Sequence, residues 1–277
     1  MTDRSALDYR FDERVVGRYD ALRGHPADVA SEIGRFLSGL VKPKARVLEL
    51  GVGTGRIALP LAAAGVEVVG IDRSHPMLAQ LSARVDHSSV GTVHLIRGDI
   101  KALPFRPAAF DAALAVHVLH LVADWAAVLE RVSQLVRPQG RLLLGRDWID
   151  PESFSGQLRN QFRRTVVEVG KDMLPPGAAA ATPPAGGGAM AETLNALGAR
   201  AVGAADQVAA EWPTRISPSQ VLHGIRTRDE AESWVLPDDM LTETMVRLDR
   251  FAASQWLDLD APQPVKRRFL VNVFEFS

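Results

Sequence analysis

The sequence predicts an α/β protein built on a doubly wound, mostly parallel sheet. Three observations predict it. Short apolar runs rich in branched residues alternate with helical stripes between Arg46 and Gly145. The first run ends on a glycine-rich turn, Glu49-Leu-Gly51-Val-Gly53-Thr-Gly55. The run Phe110 to Val116 is nearly all apolar, as expected of a parallel strand covered by helices on both faces.

Each element has its own justification. Val29, Ile33, Phe36, Leu37 and Leu40 recur at spacings of three and four and mark one buried face of a helix. Arg46 to Leu50 is the first strand, Ile57 to Ala64 a helix that stops at Gly65, and Glu67 to Ile71 the second strand. Ser74 caps a helix with Pro76 in its first turn, and Met77, Leu78, Leu81 and Val85 form its apolar stripe. Thr92 to Ile96 and Phe110 to Val116 are strands three and four. Asp124 caps the helix carrying Val128, Leu129, Val132, Leu135 and Val136, which stops before Pro138, and Arg141 to Gly145 is strand five. Beyond Asp150 the pattern loosens. Leu174 to Gly188 is too rich in Pro, Gly and Ala to hold one regular element. Met190 to Leu197 is a helix ended by Gly198, Ala201 to Trp212 a weak strand, and Leu241, Met245, Leu248, Ala252 and Trp256 a further stripe. Arg268 to Phe276 alternates like a closing strand.

Composition narrows the function. The 277 residues carry a formal net charge of -1, which provides no basic field for phosphates and argues against nucleic acid as substrate. Cysteine is absent, so disulfides, thiolate metal sites and cysteine nucleophiles are excluded together. The N-terminus lacks the apolar segment of a signal peptide, and no apolar run approaches the roughly 20 residues of a membrane span. The expectation is a cytoplasmic protein, monomeric or homodimeric, with no membrane partner.

Ligands of such sheets bind beyond the strand carboxyl ends, here after Leu50, Ile71, Ile96 and Val116. Gly51, Gly53 and Gly55 allow a tight strand-to-helix turn and close approach of a ligand to backbone. A dinucleotide fingerprint reads G-x-G-x-x-G, whereas counting from Gly51 the sixth position is Arg56, so the third glycine comes one residue early. Asp72, at the tip of the second strand, can accept hydrogen bonds from both ribose hydroxyls of a nucleoside, or serve only as a charge at a helix start. Asp99 in Arg97-Gly-Asp-Ile100 can accept an adenine amino group while Ile100 packs on the ring; a plain turn aspartate is the alternative.

In this order the motifs resemble the class I S-adenosylmethionine-dependent methyltransferases, in particular small-molecule enzymes related to those of ubiquinone and menaquinone biosynthesis. ELGVGTG, with Glu49, Gly51, Gly53 and Gly55, is similar to the family's first motif. GIDRS, with Asp72 and Arg73, resembles its ribose motif, and RGDIKALPF, with Asp99 and Ile100, its adenine motif. FDAALAVHVLHLV and LVRPQGRLLLG resemble the fourth and fifth strand segments, so residues 45 to 146 are covered. Gln139 departs from the family, which usually has glycine there. The resemblance implies a Rossmann-like sheet of about seven strands, the last antiparallel, with helices on both faces and helical cover segments. It further implies an N-terminal cover over residues 1–40 and a methyltransferase domain over 41–277, with cover insertions near 151–185 and 213–264. The implied cofactor is S-adenosyl-L-methionine, and the implied partner a small-molecule methyl acceptor.

Candidate catalytic residues follow from position. His117 and His120 fall just past the fourth strand, where the family places the methyl-transfer centre, and a histidine there can deprotonate an acceptor hydroxyl. Alternatively His117 lines the cofactor through its backbone and His120 packs under the next helix. No HExxH or clustered carboxylate accompanies the pair, so a metal site is not expected. Tyr9 and Tyr19 are the only tyrosines. The resemblance implies that a tyrosine of the N-terminal cover closes over the methionine part of the cofactor, and Tyr19 is the candidate; core packing is the alternative. Two other readings stay open: a protein that binds the cofactor without turnover, and a nicotinamide oxidoreductase, which would share the sheet and Asp72.

Overall fold

The computed structural model describes residues 20, 23–85, 91–173, 187–229, 233 and 236–277. Eight strands run β1 (Arg46–Leu50), β2 (Glu67–Asp72), β3 (Thr92–Arg97), β4 (Phe110–Val116), β5 (Val136–Ile149), β6 (Ala199–Ala201), β7 (Gln207–Ile216) and β8 (Gln263–Phe276). Helix α1 (Ala27–Gly39) precedes β1, and α2 (Ala58–Ala63), α3 (His75–Ser82) and α4 (Trp125–Leu135) lie between strands of the first five. They are followed by α5 (Phe154–Met173), α6 (Gly187–Ala196), α7 (Pro218–Arg226) and α8 (Asp238–Gln255).

The sheet order is β3-β2-β1-β4-β5-β8-β6, with β7 also paired to β8. β1 to β5 are parallel, and β8 runs antiparallel to β6, with Ala199 opposite Phe276. The single weak strand expected over Ala201 to Trp212 is divided, because Gly203 (φ 76°) and Asp206 (φ 53°) break extended backbone between β6 and β7. Strand order reverses between β1 and β4, which is where a doubly wound sheet opens a crevice for ligand.

The chain divides into two compact units. The first comprises Met1–Arg146, Pro184–Ala210 and Phe269–Ser277. Its sheet buries Leu48, Leu50, Val69, Ile71, Phe110 and Leu142 at 1% exposure or less, with Leu48 opposite Val69 and Leu50 opposite Ile71. Continuous apolar runs are what such doubly covered strands require. The caps read from sequence are present: Ser74 Oγ accepts from Met77 N at 3.4 Å, and Asp124 Oδ1 from Ala127 N at 3.4 Å. α1 belongs to this unit and packs on α2, with Ile33 and Leu37 fully buried. Contact is so close that a Cβ on Gly34 would lie 2.3 Å from the Pro60 carbonyl oxygen. Gln139 adopts φ 62°, the left-handed conformation that favours glycine, which accounts for the residue usual at that place in the resembling family.

The second unit comprises Asp147–Pro183 and Glu211–Arg268. Phe154, Leu158 and Phe162 of α5 bury against Val221 and Ile225 of α7 and Met245 and Leu248 of α8. α7 begins with a capping box, Ser217 accepting from Gln220 N while the Gln220 side chain accepts from Ser217 N at 2.9 Å. No described helix is long and apolar enough to cross a membrane.

Candidate functional site

The carboxyl ends of β2, β1 and β4 are neighbours in the sheet, so Glu49, Asp72 and His117 come from adjacent strand ends although they are far apart in sequence. The turn after β1 is stitched to β2, with Gly51 N and Val52 N both donating to the Ile71 carbonyl, at 2.9 and 3.1 Å. Its glycines have distinct jobs. Gly55, at φ 81°, is packed: an added Cβ would lie 2.2 Å from Leu81 Cδ1 and 3.2 Å from Leu59 Cγ. Gly53, at φ 54°, is open, and a Cβ there would meet nothing nearer than the turn's own Gly51 oxygen at 4.0 Å. Among the described residues nothing fills the space beside Gly53.

A first prediction follows. Gly53→Ala meets only the cost of a left-handed L-residue, roughly 1–2 kcal/mol. Gly55→Ala adds overpacking against buried Leu81, for about 2–5 kcal/mol in all. Urea denaturation is expected to rank Gly55→Ala as clearly the less stable; equal losses would show that the two glycines serve the same purpose.

Glu49 lies in the middle of the sheet, opposite Gly70 of β2 and Leu114 of β4, and is 3% exposed. Its Oε2 receives no hydrogen bond from any described residue. Burial pushes its carboxyl up to about 8, against the pull of Arg56 and with a further push from Asp72. Asp72 is differently placed. Its Oδ2 accepts from Gly53 N at 2.9 Å and its Oδ1 from Ser74 N at 2.8 Å. Burial raises its pKa, while the backbone N–H groups of Ser74, Gly53 and Arg73 lower it. Asp72 thus staples the glycine turn to the start of α3, and beside these backbone donors its carboxylate retains acceptor capacity for a ligand hydroxyl. Arg73 itself is exposed.

Asp99 caps the short 3-10 turn Ile100–Ala102, accepting from Lys101 N at 2.9 Å. Ile100 is 7% exposed and belongs to the first unit's core. His117 follows β4 at φ 49° with an exposed side chain, and its ring stands edge-on to that of His120, centroids 6.2 Å apart. His120 keeps part of its ring open to solvent. Desolvation of the remainder, then the charges of His117 and Arg23, push its imidazole down to about 4. Tyr9 and Tyr19 lie outside the described residues. Among the described residues no group of three or more His, Asp or Glu is arranged to hold a metal ion.

Sequence reasoning passed over a second set of residues around the turn. Thr54, 1% exposed, donates its hydroxyl to Asp20, which also meets Gln80 and Arg84 of the α3 segment. Arg56 reaches the Arg23 carbonyl and His25. No period or motif announces such contacts, since the partners lie 31 to 64 positions apart.

Residues 48–144 match a family model described as a methyltransferase domain. Nocamycin O-methyltransferase of Saccharothrix syringae is 33% identical over 135 residues, 47% of this chain and 47% of that protein. Demethylmenaquinone methyltransferase of Thermus thermophilus is 36% identical over 135 residues, 47% of this chain and 61% of that protein. The aligned regions thus span about half the length of these curated relatives. Among solved structures, the YcgJ protein from Bacillus subtilis superposes with a TM-score of 0.55 at 18% identity, covering 89% of this chain and 97% of the other. Magnesium protoporphyrin IX methyltransferase from Synechocystis PCC 6803, determined with bound SAH, superposes at 0.51 and 15% identity over 96% of each chain. At these identities the superpositions establish a shared fold. The crevice at the reversal point and its glycine turn thus sit in a methyltransferase fold. Residues 48–144 are thus similar to a methyltransferase domain, in sequence to these relatives and in fold to these structures.

Proposed function

We propose that the chain transfers a methyl group from S-adenosylmethionine to a small-molecule acceptor by in-line displacement. The observation that carries this reading is the buried Glu49 carboxyl, with one oxygen unpartnered among the described residues, set beside a glycine turn that those residues leave open at Gly53. A buried carboxyl with spare acceptor capacity suits a ligand ammonium. Asp72, with lone pairs to spare, suits ribose hydroxyls, and Asp99 an adenine amino group. When bound, S-adenosylmethionine supplies an electrophilic methyl on a sulfonium.

The chain's own groups then align and shield. Alignment alone can lower the barrier by about 7–11 kcal/mol, so no residue need bond to the methyl. An acceptor hydroxyl must lose its proton. His120, with its imidazolium near 4, is neutral at physiological pH and a weak base, so the base role falls to His117. That the nocamycin relative is by name an O-methyltransferase supports a hydroxyl acceptor.

The test is transfer of labelled methyl from S-adenosylmethionine into a small-molecule extract. Wild-type protein is expected to label an acceptor. Once that acceptor is isolated, His117→Ala is expected to lose about 10²–10⁴ in turnover with cofactor affinity retained. Tight adenosylhomocysteine binding with no labelled product would leave a binding protein in place of an enzyme. Equal turnover in the His117 variant would leave alignment alone as the source of rate.

A further inference from the structure

We propose that Asp20 is a positioning residue for the cofactor turn, coupling the chain ahead of α1 to cofactor affinity; the proposal rests on the reading above. Two grips join these parts. In the first, Asp20 Oδ1 accepts from the Thr54 hydroxyl at 2.5 Å, while its Oδ2 accepts from Gln80 Nε2 at 3.3 Å and pairs with an Arg84 guanidinium nitrogen at 2.5 Å. The same Arg84 nitrogen donates to the Thr54 carbonyl at 3.2 Å. In the second, Arg56 donates to the Arg23 carbonyl at 3.1 Å and lies 3.0 Å from His25 Nε2. His25 in turn stands edge-on to Phe269, 5.6 Å between centroids.

Both grips close on residues inside or at the end of the glycine turn. Thr54 lies between open Gly53 and packed Gly55, and both its hydroxyl and its carbonyl are engaged by this network. Arg56 is the positive charge that opposes the raised pKa of Glu49. The turn's shape beside the ligand space is thus set partly by Asp20, which is 34 positions away from Thr54. The Asp20 and Arg84 side chains are 30% and 43% exposed, so their ion pair contributes little to global stability. The consequence of the network therefore lies in where it holds the turn.

Adenosylhomocysteine affinity and ligand-free melting temperature should be measured for wild type, Asp20→Ala, Asp20→Asn, Arg84→Ala and the Asp20→Ala/Arg84→Ala double variant. Asp20→Ala is expected to weaken binding about tenfold, within the usual range of coupling between sites, with little change in melting temperature. Asp20→Asn keeps an acceptor for Thr54 and is expected to recover most of the affinity. The double variant is expected to bind no more than about twofold worse than Asp20→Ala, since both changes break one network. Affinity within twofold of wild type in Asp20→Ala overturns the proposal. So does a loss of melting temperature that Asp20→Asn does not rescue, accompanied by additive effects. Should Asp20→Ala not fold, Arg84→Ala is expected to weaken binding in its place, and unchanged affinity in that variant overturns the proposal equally. No binding by wild type overturns the cofactor reading itself; binding by wild type with no response in the variants overturns only the coupling.

Discussion

Glu49→Gln is expected to stabilise the ligand-free protein at pH 8 and to leave it unchanged near pH 4.5. The sign follows from the raised carboxyl. In the unfolded chain Glu49 ionises above its ordinary value of 4.5, whereas in the fold it holds its proton up to about 8. Folding therefore takes up a proton across that window, and stability falls as pH rises from about 4.5 to about 8, then levels. At 1.36 kcal/mol per unit the full cost is on the order of 5 kcal/mol, which glutamine, nearly the same shape and uncharged, does not incur. Chemical denaturation across pH reads it directly. Affinity should move the other way. If a ligand ammonium pairs with the Glu49 carboxylate, binding releases a proton, so adenosylhomocysteine binds more tightly as pH rises from 6 to 8, by up to about tenfold per unit. The glutamine variant is expected to bind weakly with no such slope. A parallel pH dependence in wild type and variant would remove Glu49 from the binding site.

The second large effect is expected at Asp72. Asp72→Ala removes the acceptor of the part-buried Gly53 and Ser74 N–H donors, which the carboxylate now satisfies at 2.9 and 2.8 Å. Part-buried donors recover some of the lost bonding from water, so stability should drop by roughly 1–3 kcal/mol in all. Adenosylhomocysteine affinity should fall separately by about 1–3 kcal/mol, through loss of the ribose acceptors. Denaturation and calorimetry separate the two. Lower stability with unchanged affinity would mean that Asp72 only staples the turn.

The strands of the first unit were legible because parallel strands buried on both faces must be apolar along their whole length. Arg46–Leu50 and Phe110–Val116 are found at the bounds their apolar runs define. The glycine turn was legible because backbone geometry, and not a partner far away, selects its residues. α5 was not, although it is 20 residues long. Its buried stripe, Phe154, Leu158, Phe162, Thr165 and Val169, is narrow and interrupted by Arg159, Arg163 and Arg164, so the apolar pattern is diluted. The spacing of four, four, three and four would have revealed it. The capping box at Ser217 and Gln220 was also readable and was passed over. The Asp20 network lay beyond sequence reasoning altogether, since a contact between residues 34 to 64 positions apart leaves no local pattern. Asp99 caps Lys101 N, a local bond that leaves its contact with adenine to be measured.

In the function proposed above, S-adenosylmethionine binds at the β1–β4 reversal through Glu49 and Asp72. Titration calorimetry with adenosylhomocysteine and with NAD, each in two buffers of different ionisation enthalpy, tests it most directly. The account predicts heat from adenosylhomocysteine alone, with proton release near pH 7 that disappears in Glu49→Gln. Heat from NAD and none from adenosylhomocysteine would contradict it.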